Sequence, residues 1–117
     1  MSKSNDVLDI VFKITDGLEY EVAENRVVTI LEKQDHKIQK FFRKLKARIP
    51  KYKKIELDEY SSFVFLQIDG QRTVREIGKN LEAKYGEESH PLYERLLVFL
   101  NHIEVNCHYI ERLDIKI

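Results

Sequence analysis

Residues 68–77, IDGQRTVREI, predict a corner between two helices. Asp69-Gly70 can end the first helix, because glycine takes the left-handed conformation of helix ends without a side-chain clash. Thr73 can begin the second helix, since its hydroxyl accepts a free backbone N–H while Glu76 reaches back to the N–H of Thr73 in a capping box. Such corners occur in DNA-binding folds and in folds that bind no DNA, so this stretch decides the architecture and leaves the function open.

Helical patterns lie on both sides of this corner. The helix before it runs to about Ile68, the helix after it ends at Gly86, and a third helix has Pro91 in its first turn, where the missing N–H costs little. The predicted caps are Asp58 and Thr73 for the first two helices and Ser89 or His90 for the third.

The third helix, within PLYERLLVFLNHIEVN (91–106), is unusually apolar. Tyr93 and Leu97 widen its core stripe, and Val98 and Val105 lie near the opposite face. Two readings stay open: extra burial inside a small core, or a cleft beside this helix that receives an apolar partner.

Upstream of the helices, apolar and polar residues alternate as they do in strands. Residues 10–14 and 18–22, joined by the turn Asp16-Gly17, predict a β-hairpin. Residues 26–31 predict a further strand or a continuation of the second one, and residues 51–57 and 108–117 predict two more.

Strands that lead into a three-helix cluster predict a single α+β, winged-helix-like domain of 117 residues. We divide it into a flexible start (1–9), N-terminal antiparallel strands (10–33), an inserted basic helix (36–49), and a strand followed by three helices (52–110). A chain of this length buries roughly two-thirds of its unfolded surface around one core, so the fold requires neither a metal nor a disulfide.

Charge is segregated along the chain, although 20 Lys and Arg residues balance 20 Asp and Glu residues. Residues 37–54 contain nine Lys/Arg and no carboxylate. This run is either a solvated helix face or a docking surface for an acidic partner. No apolar run approaches the roughly 20 residues of a membrane span, and none has the profile of a secretion signal. We therefore expect a cytoplasmic protein without membrane contact.

The sequence carries no catalytic signature. It contains no Gly-rich phosphate loop, nucleophile elbow, H-E-x-x-H motif or EF-hand spacing. Cys107 is the only cysteine, and the histidines on either side of it, His102 and His108, match no common zinc module. We therefore expect no enzyme, no cofactor and no metal site. The third helix has one Arg, no Lys and two Glu, which disfavours its use as a DNA recognition helix.

An ordered set of motifs resembles the PqqD-like family, whose domain is also called the RiPP recognition element. The motifs cover roughly half of the chain: Leu57-Asp58-Glu59, Ser62-Phe63-Val64, Ile68-Asp69-Gly70, Arg72-Thr73-Val74, Glu76-Ile77, Tyr85-Gly86 and the helix from Leu92 to Leu100. In this family the D-G-x-x-T corner is a tight joint between the first two helices.

The resemblance implies a non-catalytic peptide chaperone with three strands and three helices. Family members bind the leader segment of a ribosomally made precursor peptide and present it to a modifying enzyme, often a radical-SAM protein. The leader adds as a strand beside the third strand and against the third helix, which is β-augmentation. The peptide-binding residues implied for this chain are Lys53, Lys54, Ile55, Glu56, Leu57, Tyr93, Leu97, Leu100 and Glu104.

The inserted basic helix departs from the family pattern, and its role stays open. The sequence does not identify the precursor or the modifying enzyme, does not point to the pyrroloquinoline quinone pathway, and does not distinguish a monomer from a dimer. The alternative is a winged-helix-type regulatory or protein-interaction domain, with nucleic-acid binding as its less favoured form.

Overall fold

The computed structural model describes residues 7–33 and 52–113. These residues form five strands and three helices: β1 (Phe12–Ile14), β2 (Glu19–Val22), β3 (Val28–Lys33), β4 (Tyr52–Glu56), α1 (Glu59–Phe65), α2 (Val74–Tyr85), α3 (Leu92–Asn101) and β5 (Ile110–Arg112). Strands β2, β3 and β4 form one antiparallel sheet in that order, and β1 pairs with β5 in a second. The predicted α+β class is confirmed. The winged-helix likeness stays a prediction, and the predicted helix at 36–49 lies outside the described residues.

The corner at 68–77 forms as the sequence predicts. Gly70 has a φ of +78°, and its N–H donates to the backbone oxygen of Phe12, which ties the corner to β1. The Asp69 carboxylate accepts hydrogen bonds from the backbone N–H groups of Arg72 and Gln71. These bonds favour the charged form and hold the pKa of Asp69 below its usual range.

The first two helices begin at their predicted caps. The Asp58 carboxylate accepts the N–H of Ser61 at 2.7 Å, and Thr73 and Glu76 form the reciprocal capping box. Helix α1 ends at Phe65, a few residues earlier than predicted, because the chain tightens into i→i+3 hydrogen bonds before the corner.

The predicted caps of the third helix are wrong. Pro91 occupies the N-cap position of α3 and makes no side-chain capping bond. Ser89 instead donates to the backbone oxygen of Gly86, and the His90 ring lies 2.9 Å from the Glu82 carboxylate. Both side chains therefore close the short 3-10 turn Gly86–Ser89 against α2.

The predicted hairpin between β1 and β2 is also wrong. The Asp16-Gly17 turn forms, with Gly17 at φ +87°, but β1 pairs with β5 and β2 pairs with β3. The N–H of Thr15 donates to the backbone oxygen of Tyr109, so this strand extends its ladder toward the end of the chain. Alternation fixes which residues face the core but not which strand lies beside them.

One core joins the three-stranded sheet to the helices. The side chains of Val28 and Ile30 on β3 are fully buried, and the buried Ser62 hydroxyl of α1 accepts the backbone N–H of Val28 at 2.8 Å. The helices contribute Val64, Phe65, Val74, Ile77, Leu81, Leu96 and Leu100 to this core, and the second sheet and the segment after α3 add Phe12, Ile103, Tyr109 and Ile110. Helix α1 is thereby held against β3, and α2 and α3 complete the layer.

Candidate functional site

The outer edge of β4 is the first part of the candidate site. Its inner edge pairs with β3, where Ile55 lies opposite Ile30, and it has no second strand neighbour among the described residues. Of the predicted contact residues here, Ile55 and Leu57 are half-buried, and Lys53, Lys54 and Glu56 are exposed. The backbone N–H and C=O groups along such an edge are open to pairing with a further strand.

The predicted contact residues of α3 lie on its core side. Tyr93 packs its ring on Gly78 of α2, and its hydroxyl donates to the backbone oxygen of Arg75 at 3.2 Å. Leu100 is only 1% exposed, and Leu97 is half-buried against the core. These side chains hold α3 in place, and their contact with a peptide stays a prediction.

Glu104 lies in the π-helical turn His102–Asn106 that follows α3. One carboxylate oxygen accepts a hydrogen bond from the Arg112 guanidinium of β5 at 2.8 Å. The other oxygen is buried and has no hydrogen-bond partner among the described residues. Glu104 therefore fastens the end of α3 to the second sheet, and a role in peptide contact stays a prediction for it as well.

A groove of about 570 Å³ runs along the outer side of α3. Its described lining residues recur at spacings of three and four along one stripe of the helix: Pro91, Glu94, Arg95, Val98, Phe99 and His102. Val98 is 72% exposed, so its side chain adds open apolar surface to the groove. The apolar spacing of the third helix places Phe99 with Leu92, Leu96 and Ile103 on a predicted core face, so only Val98 indicated this groove from the sequence.

Two sets of contacts orient β4 relative to α3. Beyond the C-terminal end of β4, Tyr60 of α1 packs edge-on against Phe99 at 6.2 Å, and the Arg95 guanidinium lies 4.9 Å from the Tyr60 ring. Toward the other end, Tyr109, which follows α3, donates its hydroxyl to the carboxylate of Glu32, a β3 residue paired with the first half of β4. These contacts connect α3 and the residues after it to α1, which follows β4 in the chain, and to β3, which pairs with β4.

Cys107 lies near this second end of the site. Its sulfur is 3.5 Å from Nε2 of His102. Burial, and then the nearby charge of Glu32, raise the pKa of the thiol, which keeps it protonated and poorly nucleophilic. Within residues 7–33 and 52–113, no three His, Cys, Asp or Glu side chains come together in an arrangement that could hold a metal ion.

An open strand edge beside an apolar helix face is the arrangement that peptide-binding modules use for β-augmentation. Residues 50–106, just under half of the chain, match the family model described as Coenzyme PQQ synthesis protein D (PqqD). This match supports assignment of the chain to a PqqD-like family, as the motifs around the corner predict. No curated protein and no solved structure gives a significant match to the chain.

Family membership suggests a peptide-binding accessory role in the biosynthesis of ribosomally made, modified peptides or of the cofactor PQQ. Proteins of this family bind a precursor peptide, work with modifying enzymes and are themselves non-catalytic. The peptide-binding, non-catalytic role of the family is consistent with the interpretation of the chain as a binding module. In the described part of the chain, no helix combines the length and apolar content that a membrane crossing requires.

Proposed function

We propose that this protein captures the leader segment of a precursor peptide by β-strand addition at β4 and presents it to a modifying enzyme. The observation that carries the proposal is the outer edge of β4, which has no strand neighbour among the described residues, and the apolar groove on α3 adds a surface for peptide side chains. Main-chain hydrogen bonds to the edge would hold the peptide, and the groove would select its apolar side chains.

The groove chemistry extends the set of residues proposed to contact the leader. Val98 and Phe99 offer apolar surface to a leader side chain. The Arg95 guanidinium already donates to the backbone oxygen of Glu88, and its remaining N–H groups can pair with an acidic side chain. Lys53 and Lys54 on β4 add long-range attraction for a leader with acidic residues.

The test is an amide-shift titration of isotopically labelled protein with short candidate leaders encoded beside its gene. Saturating shifts should cluster on residues 52–57 and 92–104. A ligand that saturates with shifts on the N-terminal strands or on residues 74–85 instead would contradict the proposed site. If none of the precursor peptides encoded beside the gene binds, leader capture is contradicted.

A further inference from the structure

A second pocket, of about 330 Å³, opens between the β2–β3 turn, α1 and the end of α2. Three cationic side chains reach it from three separate segments of the chain, and α1 supplies an apolar wall and one carboxylate. The side chains that define its chemistry are Arg26, Arg72, Lys84, Phe63, Leu66 and Glu59. With three cations and one anion, the pocket favours an anionic group that carries an apolar neighbour.

Two of the three cations are already engaged. Arg72 pairs with Asp69 at 3.2 Å, and the Lys84 ammonium lies 5.3 Å above the Phe63 ring. The Arg26 guanidinium makes no hydrogen bond or ion pair with the described residues. Arg26 is thus an exposed cation on the pocket wall whose guanidinium has no partner among the described residues.

The backbone at Arg26 is held in an uncommon conformation. Its φ is +71°, and the turn is closed by hydrogen bonds from the N–H of Arg26 to the oxygen of Ala23 and from the N–H of Ala23 to the oxygen of Val27. This is the conformation that the last residue of a three-residue hairpin loop commonly takes, and it sets the course of the backbone at the pocket wall.

A row of aromatic rings joins the groove of α3 to this pocket. Phe99 lies 6.2 Å from Tyr60, Tyr60 lies 6.3 Å from Tyr85, and Tyr85 lies 5.9 Å from Phe63, which lines the pocket. The Tyr60 hydroxyl is buried without a hydrogen-bond partner among the described residues, although buried hydroxyls are normally paired. A peptide that leaves the β4 edge past Tyr60 would reach the pocket along this row.

We infer that this pocket is a second subsite for the same peptide and takes the carboxylate of one of its Asp or Glu residues; the inference rests on the proposed capture of a leader at β4. Every described strand pair is antiparallel, so an added strand that continues the pattern runs from the Tyr60 end of β4 toward Lys53. The three ring-to-ring steps correspond to at most about six residues of extended chain at about 3.3 Å each. The acidic residue therefore lies no more than about six residues N-terminal to the residue that packs on Phe99.

The pocket can be tested without the leader, using N-acetyl-glutamyl-leucine amide and its glutaminyl isostere as probes in an amide-shift titration. The glutamyl probe should shift residues 26–27 and 63–67, and the glutaminyl probe should not. Arg26→Ala should abolish these shifts, Glu59→Gln should enlarge them, and Lys79→Ala, an exposed lysine of α2 outside the pocket, should leave them unchanged. Equal shifts with both probes, shifts with neither probe, or shifts that survive Arg26→Ala would overturn the inference.

The link to the leader is tested by calorimetry with a leader that binds β4. Neutralising the one acidic residue at the stated spacing should weaken binding about fivefold to tenfold in the wild type and have little effect in Arg26→Ala. If the leader binds β4 but no acidic residue couples to Arg26, the second subsite is refuted while the proposed function stands. If the glutamyl probe occupies the pocket but no leader binds β4, the proposed function fails while the carboxylate pocket stands.

Discussion

Gly78 allows α3 to approach α2, because a β-carbon at this position would lie 2.3 Å from the Tyr93 ring. Gly78→Ala should gain about 1 kcal/mol of helix propensity but lose about 1–3 kcal/mol through overpacking. We expect a net fall of about 1 kcal/mol in the free energy of unfolding, measured by urea denaturation.

The matched control for this contact is Tyr93→Ala. In that background the ring is gone, so Gly78→Ala should raise the free energy of unfolding by about 0.5–1 kcal/mol. A Gly78→Ala substitution that destabilises both backgrounds equally would show that the Tyr93 contact is not the cause.

Glycine is favoured at position 70 because of the backbone conformation there, and not because a side chain would clash with its neighbours. A β-carbon there would meet Leu113 and Lys13 at the ordinary distances of 3.7 and 3.8 Å, but the φ of +78° strains a β-branched residue. Gly70→Val should lower the free energy of unfolding by about 1 kcal/mol or more, and Gly70→Asn by less, since Asn tolerates the left-handed region. Urea denaturation curves of the wild type and the two variants measure this order of stability. A stable Gly70→Val variant with selectively lost peptide binding would contradict a purely architectural role.

The groove of α3 is best tested at Val98. Because its side chain is 72% exposed, Val98→Asp should change the free energy of unfolding by no more than about 0.5 kcal/mol. It should weaken leader binding at least about tenfold, since the peptide would bury an unpaired charge. Val22→Asp, at an exposed valine of β2, is the matched control and should retain binding in calorimetry. Equal losses in both variants would argue against the groove.

Local patterns predicted most elements because their causes are local. The Thr73–Glu76 capping box and the amphipathic stripe of α2 depend on neighbours three and four residues apart. The partner of β1 could not be predicted, since its ladder is formed with residues almost a hundred positions away. The groove was missed for a similar reason: whether Phe99 lies in the core or beside it depends on where Tyr60 of α1 packs.

At the scale of the whole molecule, charge segregation makes nucleic acid the alternative partner to test. The basic run precedes the predicted helical corner in the sequence, and α3 carries little positive charge. Duplex DNA at physiological salt should therefore bind only in the non-specific range of roughly 10⁻⁴ to 10⁻⁶ M. A fluorescence titration with competitor DNA measures this, and a sequence-selective complex would favour the regulatory alternative.

The pairing of β1 with β5 brings the two ends of the described fold next to each other. Phe12 lies directly opposite Arg112, so a strand near each end of the described chain is a ladder neighbour of the other. A circular permutant that links the two ends and is cut in an exposed turn would preserve every strand pair described above. If the permutant were fused to a modifying enzyme, the point of attachment would lie at the new chain end, and the β4 edge would stay intact. The distance between captured peptide and enzyme could then be varied by the position of the cut alone.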